Sequence, residues 1–311
     1  MRWQARARTL PAAAATLLLL VAPPLLLSGY SLRVLDLAVI GAIAVVGLVF
    51  AFGYAGLVQL GQAAFVGIGA YGCALLTAGA HWPVWLAVPG AMLLALAAAL
   101  LIGAPLLRLR GHYLALATVG LNETLEVVAK NWASLTGGDD GLGGIPGIPG
   151  IATDRAFYWL ASAVLLAALL IGVALRHSRF GRAMIAVRDD ELASGAAGVP
   201  VFRVRMLAFA LAALYGALSG ALYAQYARFI APGDFDVVHS ITLLVMLIVG
   251  GETSLVGAVA GAVIVSFAPE WLRFVGSAYL SVFGVLVLLV LVLMPGGLAG
   301  ALSRLRRTRH A

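Results

Sequence analysis

The sequence predicts an all-α integral membrane protein with about ten transmembrane helices, within a range of about eight to ten. Of the 311 residues, 63% are hydrophobic and 11% are charged, and the mean hydropathy is +1.05. A soluble protein of this length would carry roughly 25% charged residues. Apolar runs of about twenty residues recur from end to end, and each can cross the hydrocarbon layer as a helix. A membrane β-barrel would alternate polar and apolar residues, whereas stretches such as 84–107 are apolar on every face.

The charged residues are distributed as topology signals rather than as a nucleic-acid surface. The net charge is +7, and 19 of the 20 basic residues are arginines. Most of them sit in short runs at the ends of apolar segments, where arginine sets orientation and contacts anionic lipids. We therefore expect membrane lipids, and no nucleic acid, as partners. Cys73 lies alone in an apolar segment, which excludes an intrachain disulfide.

The first element is an apolar run that follows Arg2, Arg6 and Arg8 and continues to Leu27. A secretory signal begins in the same way, but no clear small-residue cleavage site ends this run. We favour a retained first helix, anchored inside by the three arginines, and keep a cleaved signal as the alternative. The further predicted spans, with boundaries uncertain by several residues, are 34–52, 57–79, 84–107, 112–130, 157–175, 206–226, 239–250, 254–268 and 278–295.

Arginine clusters predict the orientation of these spans. The loop 176–205 contains six arginines and is therefore predicted to be cytoplasmic. The same rule places the N-terminus, the Arg108/Arg110 turn and the C-terminal tail in the cytoplasm; the tail carries Arg304, Arg306, Arg307 and Arg309. Between 205 and 304 the chain must cross an even number of times, so 239–268 contributes two crossings or none. Its centre, Gly-Gly-Glu-Thr-Ser at 250–254, predicts a hairpin that turns at the cytoplasmic side, with a re-entrant segment as the alternative.

Glycine and proline mark the connections and the close contacts. The segment 131–156 is rich in both residues and carries Asp139, Asp140 and Asp154, so it is predicted to be a surface loop on the periplasmic side. Gly216-x-x-x-Gly220 and Gly257-x-x-x-Gly261 are spaced for close helix packing. Glycine breaks in 53–79 and 250–268 suggest an inverted repeat, a feature that transporters often place near the substrate path.

The loop 176–205 is too polar to span the bilayer and too long for a simple turn. Met184, Val187 and Leu192 fall near helical spacing, which predicts a short helix at the inner surface. Such a helix can dock a partner protein. A helix that contacts only lipid headgroups is the alternative.

Within this loop, Glu191-x-Ala193-x-x-x-x-Gly198 follows Gly181-Arg182 and the run Arg188-Asp189-Asp190. The spacing resembles the EAA-type loop by which ABC importer permeases meet their ATPase subunits, and the context is most similar to branched-chain amino acid permeases of LivM type. Four further stretches agree with this family in fixed order: 53–71, 107–120, 131–147 and 208–224. Two places differ from the family pattern, namely Gln62, which is usually a histidine, and Ser194-Gly195 in the alanine-rich core of the loop.

The resemblance implies that residues 1–311 form a single transmembrane permease domain with a type II ABC importer-like fold, multi-pass in the cell inner membrane. Its partners would be two ABC ATPase subunits, a homologous second permease of LivH type and a periplasmic or lipid-anchored solute-binding protein. The solute would be a branched-chain amino acid, urea, an amide or a related small polar molecule. Closure of the ATPases on ATP would move the 180–198 helix and open the pathway inward. The ATPase-coupling residues expected from the resemblance are Gly181, Arg182, Arg188, Asp189, Asp190, Glu191, Ala193 and Gly198.

The sequence contains no G-x-x-x-x-G-K-[ST] phosphate loop, and its one lysine, Lys130, is followed by Asn131. We therefore expect no enzymatic activity and no cofactor in this chain, with ATP bound by the partner subunits. The five histidines are scattered and predict no metal site.

Polar residues inside the spans are the candidates for a translocation path. Glu126 can pair with Lys130 one turn away and is predicted to be structural. For Glu123 two roles stay open, lining the path or an interhelical hydrogen bond. A proton-coupled secondary transporter that uses Glu123 is the alternative function. The candidate path residues are Gln59, Gln62, Thr118, Asn122, Glu123 and Glu252.

Overall fold

A computed structural model describes residues 29–109, 111–151 and 153–272, together with residues 284, 297, 298 and 300. Over these residues the secondary structure is helical, with one isolated β-bridge between Leu142 and Ile230. Some predictions concern parts of the chain outside the described residues: the first helix with its three arginines, Arg110, nearly all of the span 278–295, and the arginines at 304, 306, 307 and 309.

The described part contains ten α-helices of six or more residues. They are α1 Tyr30–Leu48, α2 Gln62–Ala74, α3 Val84–Leu106, α4 His112–Asn131, α5 Asp154–His177, α6 Arg179–Asp189, α7 Glu191–Ala196, α8 Val201–Ala227, α9 Val237–Gly250 and α10 Leu255–Trp271. Wider π-helical turns continue α1 through Val49–Tyr54 and α2 through Leu75–Gly79.

Six segments are long and apolar enough to cross a membrane: Tyr30–Tyr54, Gln62–Gly79, Val84–Leu106, Asp154–His177, Val201–Ala227 and Pro232–Gly250. Of the other two predicted spans in the described range, α4 has 20 residues and carries Glu123, Glu126 and Lys130, and α10 is apolar but has only 17 residues. Every predicted span within the described range coincides with a helix. The count of about ten crossings and the inverted repeat stay predictions.

The start of the third predicted span, 57–79, was placed too early, because the helix begins only at Gln62. Residues 55–61 form a non-helical connection after the π-helical end of α1. The apolar residues Leu57 and Leu60 continue the hydropathy of a helix, so composition alone hides this break. We call residues 55–61 the broken segment.

The longest helix of the described residues, α8, lies at the centre of the bundle and packs against α1, α2 and α3. Its contact with α2 is at backbone distance. A Cβ added at Gly220 would lie 1.8 Å from the Val66 carbonyl oxygen, and one added at Gly69 would lie 2.2 Å from the Ala217 carbonyl oxygen. The small-residue spacing at 216–220 therefore marks a true helix crossing, as predicted.

Helices α9 and α10 form the predicted hairpin, joined by the turn 251–254. The Ser254 hydroxyl accepts a hydrogen bond from the Gly257 amide and caps α10. The two helices approach through glycine, since a Cβ at Gly261 would lie 2.0 Å from the Met246 carbonyl oxygen. Close contact along the hairpin is therefore possible only with residues of this size.

The loop 176–205, which we call the arginine loop, forms two short helices rather than the single predicted one. Asp190 separates them in an extended conformation, with φ of −153°, and its carboxylate accepts a hydrogen bond from the Ala193 amide. An aspartate at this position competes with helix continuation because its short side chain caps the next helix. Met184 and Val187 of α6 are buried, whereas Leu192 is 79% exposed.

Candidate functional site

The broken segment enters the bundle and carries the start of α2 to about mid-depth. The Gln62 side-chain amide donates to the carbonyl oxygens of Ala44, at 3.3 Å, and Ala212, at 2.9 Å. Ala44 lies ten residues before Tyr54, so it is about 15 Å above that end of α1. Non-helical backbone at this depth is tolerated only where protein or a cavity surrounds it. Residues 55–61 are therefore a structural discontinuity of the kind that transporters use near their substrate site.

Five buried polar side chains surround this discontinuity and form what we call the polar cluster. Its members are Gln59, Gln62, Thr118, Asn122 and Ser240, each at most 1% exposed. They come from the broken segment, α2, α4 and α9, so side chains far apart in sequence meet at one place. Four of the six candidate path residues belong to this cluster.

The cluster satisfies backbone amides that the break leaves without helical partners. The Thr118 hydroxyl accepts from the Leu60 amide at 2.9 Å, and the Ser240 hydroxyl accepts from the Ala63 amide at 2.8 Å. The first amides of any helix lack intrahelical acceptors. Here neighbouring helices supply those acceptors, so α4 and α9 hold the start of α2 in place.

Further hydrogen bonds close the cluster. The Asn122 amide donates to the Phe235 carbonyl oxygen at 3.0 Å, while its side-chain oxygen accepts from the Ser240 hydroxyl at 3.3 Å. The Gln59 amide donates to the Gln62 side-chain oxygen at 3.0 Å. A rearrangement at any one member therefore disturbs α2, α4 and the start of α9 together.

Glu123 does not join the polar cluster, although its neighbour Asn122 does. Its side chain is on the exposed face of α4, with Tyr113 and Leu116 on the same face, 73% and 68% exposed. Within the described residues it makes no interhelical hydrogen bond. Glu126 accepts from Lys130 at 2.7 Å, as predicted for a structural i,i+4 pair.

Glu252 lies in the hairpin turn, away from the polar cluster. Its carboxylate accepts a hydrogen bond from Arg188 of α6, and a second nitrogen of the same guanidinium donates to the Gly53 carbonyl oxygen. A candidate path residue and a candidate coupling residue thus form one contact. The hairpin turn consequently lies on the same side as the arginine loop.

The other candidate coupling residues are divided between internal contacts and exposed positions. Glu191 forms a bidentate pair with Arg205 of α8, with N–O distances of 3.0 and 2.9 Å. Arg182 donates to the His177 carbonyl oxygen at 3.0 Å, and Asp190 caps α7. Gly181 is buried against the end of α5, whereas Asp189 and Ala193 are both exposed. Gly198, two residues before Pro200, has a φ of 83°.

Sequence reasoning missed several buried polar residues, and Asp36 and Ser240 are two of them. Asp36 lies inside the predicted span 34–52 and is fully buried beside the hydroxyl of Tyr226. An acidic residue within a span is itself a signal, so Asp36 could have been found by the rule that singled out Glu123. Ser240 lies one residue after the predicted start of the span 239–250 and gave no comparable signal, because serine is common in transmembrane helices.

A cavity of about 440 Å³ opens near the start of α9, at the end of the molecule where α8 finishes. Val66, Leu243 and Met246 contribute apolar walls, and Asp234 and Asp236 also line the cavity. Both carboxylates also cap local backbone, accepting from the Ala231 and His239 amides. Among the described residues, no three His, Cys, Asp or Glu side chains gather as metal ligands do.

A helical membrane bundle with a broken helix at mid-depth, a buried polar cluster and a structured polar loop at one end defines the class of membrane permeases. The sequence model of the family described as "Branched-chain amino acid transport system / permease component" matches residues 30–295. The chain belongs to this family, and it is a transmembrane permease of an ABC importer.

Individual relatives agree with the family match. The high-affinity branched-chain amino acid transport system permease protein LivM of Escherichia coli K12 is 31% identical, over 91% of this chain and 73% of the relative. LivH of the same organism is 33% identical over 48% of each chain, and the ribose import permease protein RbsC is 27% identical over 44% of each. No solved structure matches the chain significantly.

Proposed function

We propose that this permease imports a branched-chain amino acid, or a related small polar solute, and that separate ATPase subunits drive it. The observation that carries the proposal is the buried polar cluster at the start of α2, within a family described for branched-chain amino acids. The start of a helix at mid-depth presents a positive dipole end, which suits a carboxylate. The cavity near α9 is lined by apolar side chains and by two carboxylates, which suit an alkyl side chain and an ammonium group.

The energy source in this proposal is a pair of ATPase subunits that dock on the arginine loop. Met184 and Val187 fix α6 against the bundle, while the opposite side of the loop is charged and exposed. A helix held on one face and open on the other can transmit movement to the bundle. The positive-inside rule supports a cytoplasmic position for this loop and for both chain ends. A periplasmic or lipid-anchored binding protein would deliver the solute to the loop 131–156 at the other end.

The paired second permease would cover the exposed face of α4. Glu123 lies in the middle of this face, and a carboxylate facing lipid at that depth is costly. The exposed faces of α3 and α5 are apolar by comparison, with Leu93, Leu101 and Leu170 as examples. We therefore assign α3 and α5 to lipid and α4 to the interface between the two permeases, where Glu123 would line the translocation path.

The test is solute uptake by the complete transporter, reconstituted from both permeases, the ATPases and the binding protein. We expect uptake of labelled leucine to require ATP and to stop when the ATPase phosphate-loop lysine is replaced. Competition by isoleucine, valine, urea, acetamide and ribose would identify the solute class. Uptake that continues without ATP and collapses with a proton uncoupler would contradict ATPase coupling. Uptake of ribose but not leucine would contradict the solute assignment alone.

A further inference from the structure

One guanidinium group connects three parts of the molecule that are remote in sequence. Arg188, in the last turn of α6, donates one hydrogen bond to the Gly53 carbonyl oxygen and another to the Glu252 carboxylate. Gly53 belongs to the π-helical end of α1, and Glu252 belongs to the turn between α9 and α10. We call Arg188, Gly53 and Glu252 the latch.

The two elements that Arg188 reaches are also packed on each other. A Cβ added at Gly53 would lie 2.0 Å from the Glu252 carbonyl oxygen, so the two backbones are in direct contact. The arginine loop makes a second contact with the same end of α1, because the Arg176 guanidinium lies 5.6 Å from the centre of the Tyr54 ring. The end of α1 and the hairpin turn therefore form one surface against which α6 rests.

The latch is suited to transmitting movement rather than to adding stability. The side chains of Arg188 and Glu252 are 31% and 36% exposed, and partly exposed ion pairs contribute about 0–1 kcal/mol. Arginine, however, holds two acceptors in a fixed planar fork, which lysine does not. A displacement of α6 is therefore passed to both acceptors in a defined direction.

The broken segment begins directly after the latch. Ala55 follows Tyr54, and five residues further along Leu60 donates its amide to Thr118 in the polar cluster. Movement at Gly53 consequently reaches the cluster through a short, non-helical stretch of chain. Movement at Glu252 reaches it separately through α9, which carries Ser240.

We propose that the latch couples the ATPase-docking loop to the polar cluster, and that Arg188 is the positioning residue through which the arginine loop moves the broken segment and the hairpin. This inference rests on the proposed ATPase coupling. It differs from a docking role for Arg188, because Arg188 would act on the bundle and leave ATPase binding intact. Breaking the latch should therefore uncouple ATP hydrolysis from solute transport.

The experiment compares Arg188→Glu, Glu252→Arg and the exchanged pair in the complete reconstituted transporter. Each single variant should keep its ATPase subunits and its basal ATP hydrolysis, while solute moved per ATP falls by about fivefold or more. The exchanged pair should recover part of that loss, because it restores the ion pair but not the bond to Gly53. Arg108→Glu is the control, since it reverses an exposed arginine that lies outside both the latch and the arginine loop, and it should transport normally.

If charge reversal prevents insertion of the chain into the membrane, two further variants still test the proposal. Arg188→Lys keeps the charge and loses the fork, so it should reach wild-type levels in the membrane and transport less solute per ATP. Glu252→Gln keeps an acceptor oxygen and should stay close to wild type. Normal transport by Arg188→Lys and Arg188→Glu, or loss of ATPase subunits together with transport, would overturn the latch. Failure of the unmodified chain to bind ATPase would instead overturn the proposed function.

Discussion

Gly198 follows α7 within the arginine loop and adopts a left-handed backbone conformation, three residues before α8 begins at Val201. Its amide donates to the Gly195 carbonyl oxygen, and the Val199 amide donates to the Ser194 carbonyl oxygen at 3.0 Å. This is the usual way in which a helix ends on glycine, and it sets the direction in which the chain leaves α7. No atom lies within 4 Å of a Cβ added at Gly198, so the restriction is conformational and not steric.

Replacing Gly198 by valine should therefore strain the turn by about 1–3 kcal/mol. We expect Gly198→Val to insert normally but to lose transport and ATPase association together. Gly198→Asn is the matched control, because asparagine tolerates positive φ far better than valine. Co-purification of ATPase with equal amounts of each membrane variant provides the measurement. Full ATPase association by Gly198→Val would show that the turn does not shape the docking surface.

The role of Glu191 must be tested with a paired substitution, because its carboxylate accepts hydrogen bonds from Arg205 within the same chain. Glu191→Lys places two cations together, so loss of ATPase binding in that variant alone has two explanations. We expect Glu191→Arg with Arg205→Glu to restore the internal pair and the membrane level of the protein. If Glu191 also contacts the ATPase, the exchanged variant should still bind ATPase poorly. Normal binding by the exchanged variant would assign Glu191 to a purely internal role.

At the residue scale, sequence reasoning found the polar members of the site but not their connections. Gln59, Gln62, Thr118 and Asn122 were recognisable because polar side chains in apolar spans are costly without partners. The partners themselves are main-chain groups on other helices, such as the Ala212 carbonyl oxygen, and no local pattern encodes such pairs. The exposure of Glu123 was unpredictable for a related reason, since it depends on which face of α4 the bundle covers.

At the scale of elements, hydropathy located every helix of the described core, whereas interruptions needed tertiary information. The Asp190 cap divides α6 from α7, although the pattern of apolar residues does not change at that position. The broken segment is stabilised by side chains from α4 and α9 that accept its free amides, so its register follows from packing. Hydropathy reports burial, and burial is similar for a helix and for a non-helical segment surrounded by protein.

The crossing of α2 and α8 yields a sharp prediction at this scale. Gly220→Ala should lower the yield of monodisperse protein and its melting temperature, because the added methyl group meets the Val66 carbonyl oxygen and overpacking costs about 1–3 kcal/mol. Gly79→Ala, at the far end of the α2 segment, is the control, since nothing lies within 4 Å of its added Cβ. Thermal unfolding in detergent would compare the two variants. Equal melting temperatures would mean that the two helices separate at little cost.

For the whole molecule, two contacts predict on which side of the membrane a reporter fused to the chain should lie. Arg188 touches Glu252, so the arginine loop and the hairpin turn share one side. The Leu142–Ile230 bridge joins the loop 131–156 to the opposite end of α8. Fusions after Arg188 and Ser254 should report cytoplasm, with Arg306 on the same side by its arginines. Fusions at Asp140 and Arg228 should both report the outside. An external signal at Ser254 would contradict the hairpin orientation.

The unbroken course of α8 has a consequence for how the two ends of the transporter communicate. It begins beside Glu191 through Arg205 and ends beside the bridge at Ile230, a length of about 40 Å without a hinge. If α8 shifts as a rigid rod between two states, and each partner binds one state better than the other, occupancy at one end would be linked to occupancy at the other. Linkage of this kind is reciprocal: if a binding protein at the outer end raises ATPase affinity by some factor, ATPase binding raises the affinity for that protein by the same factor.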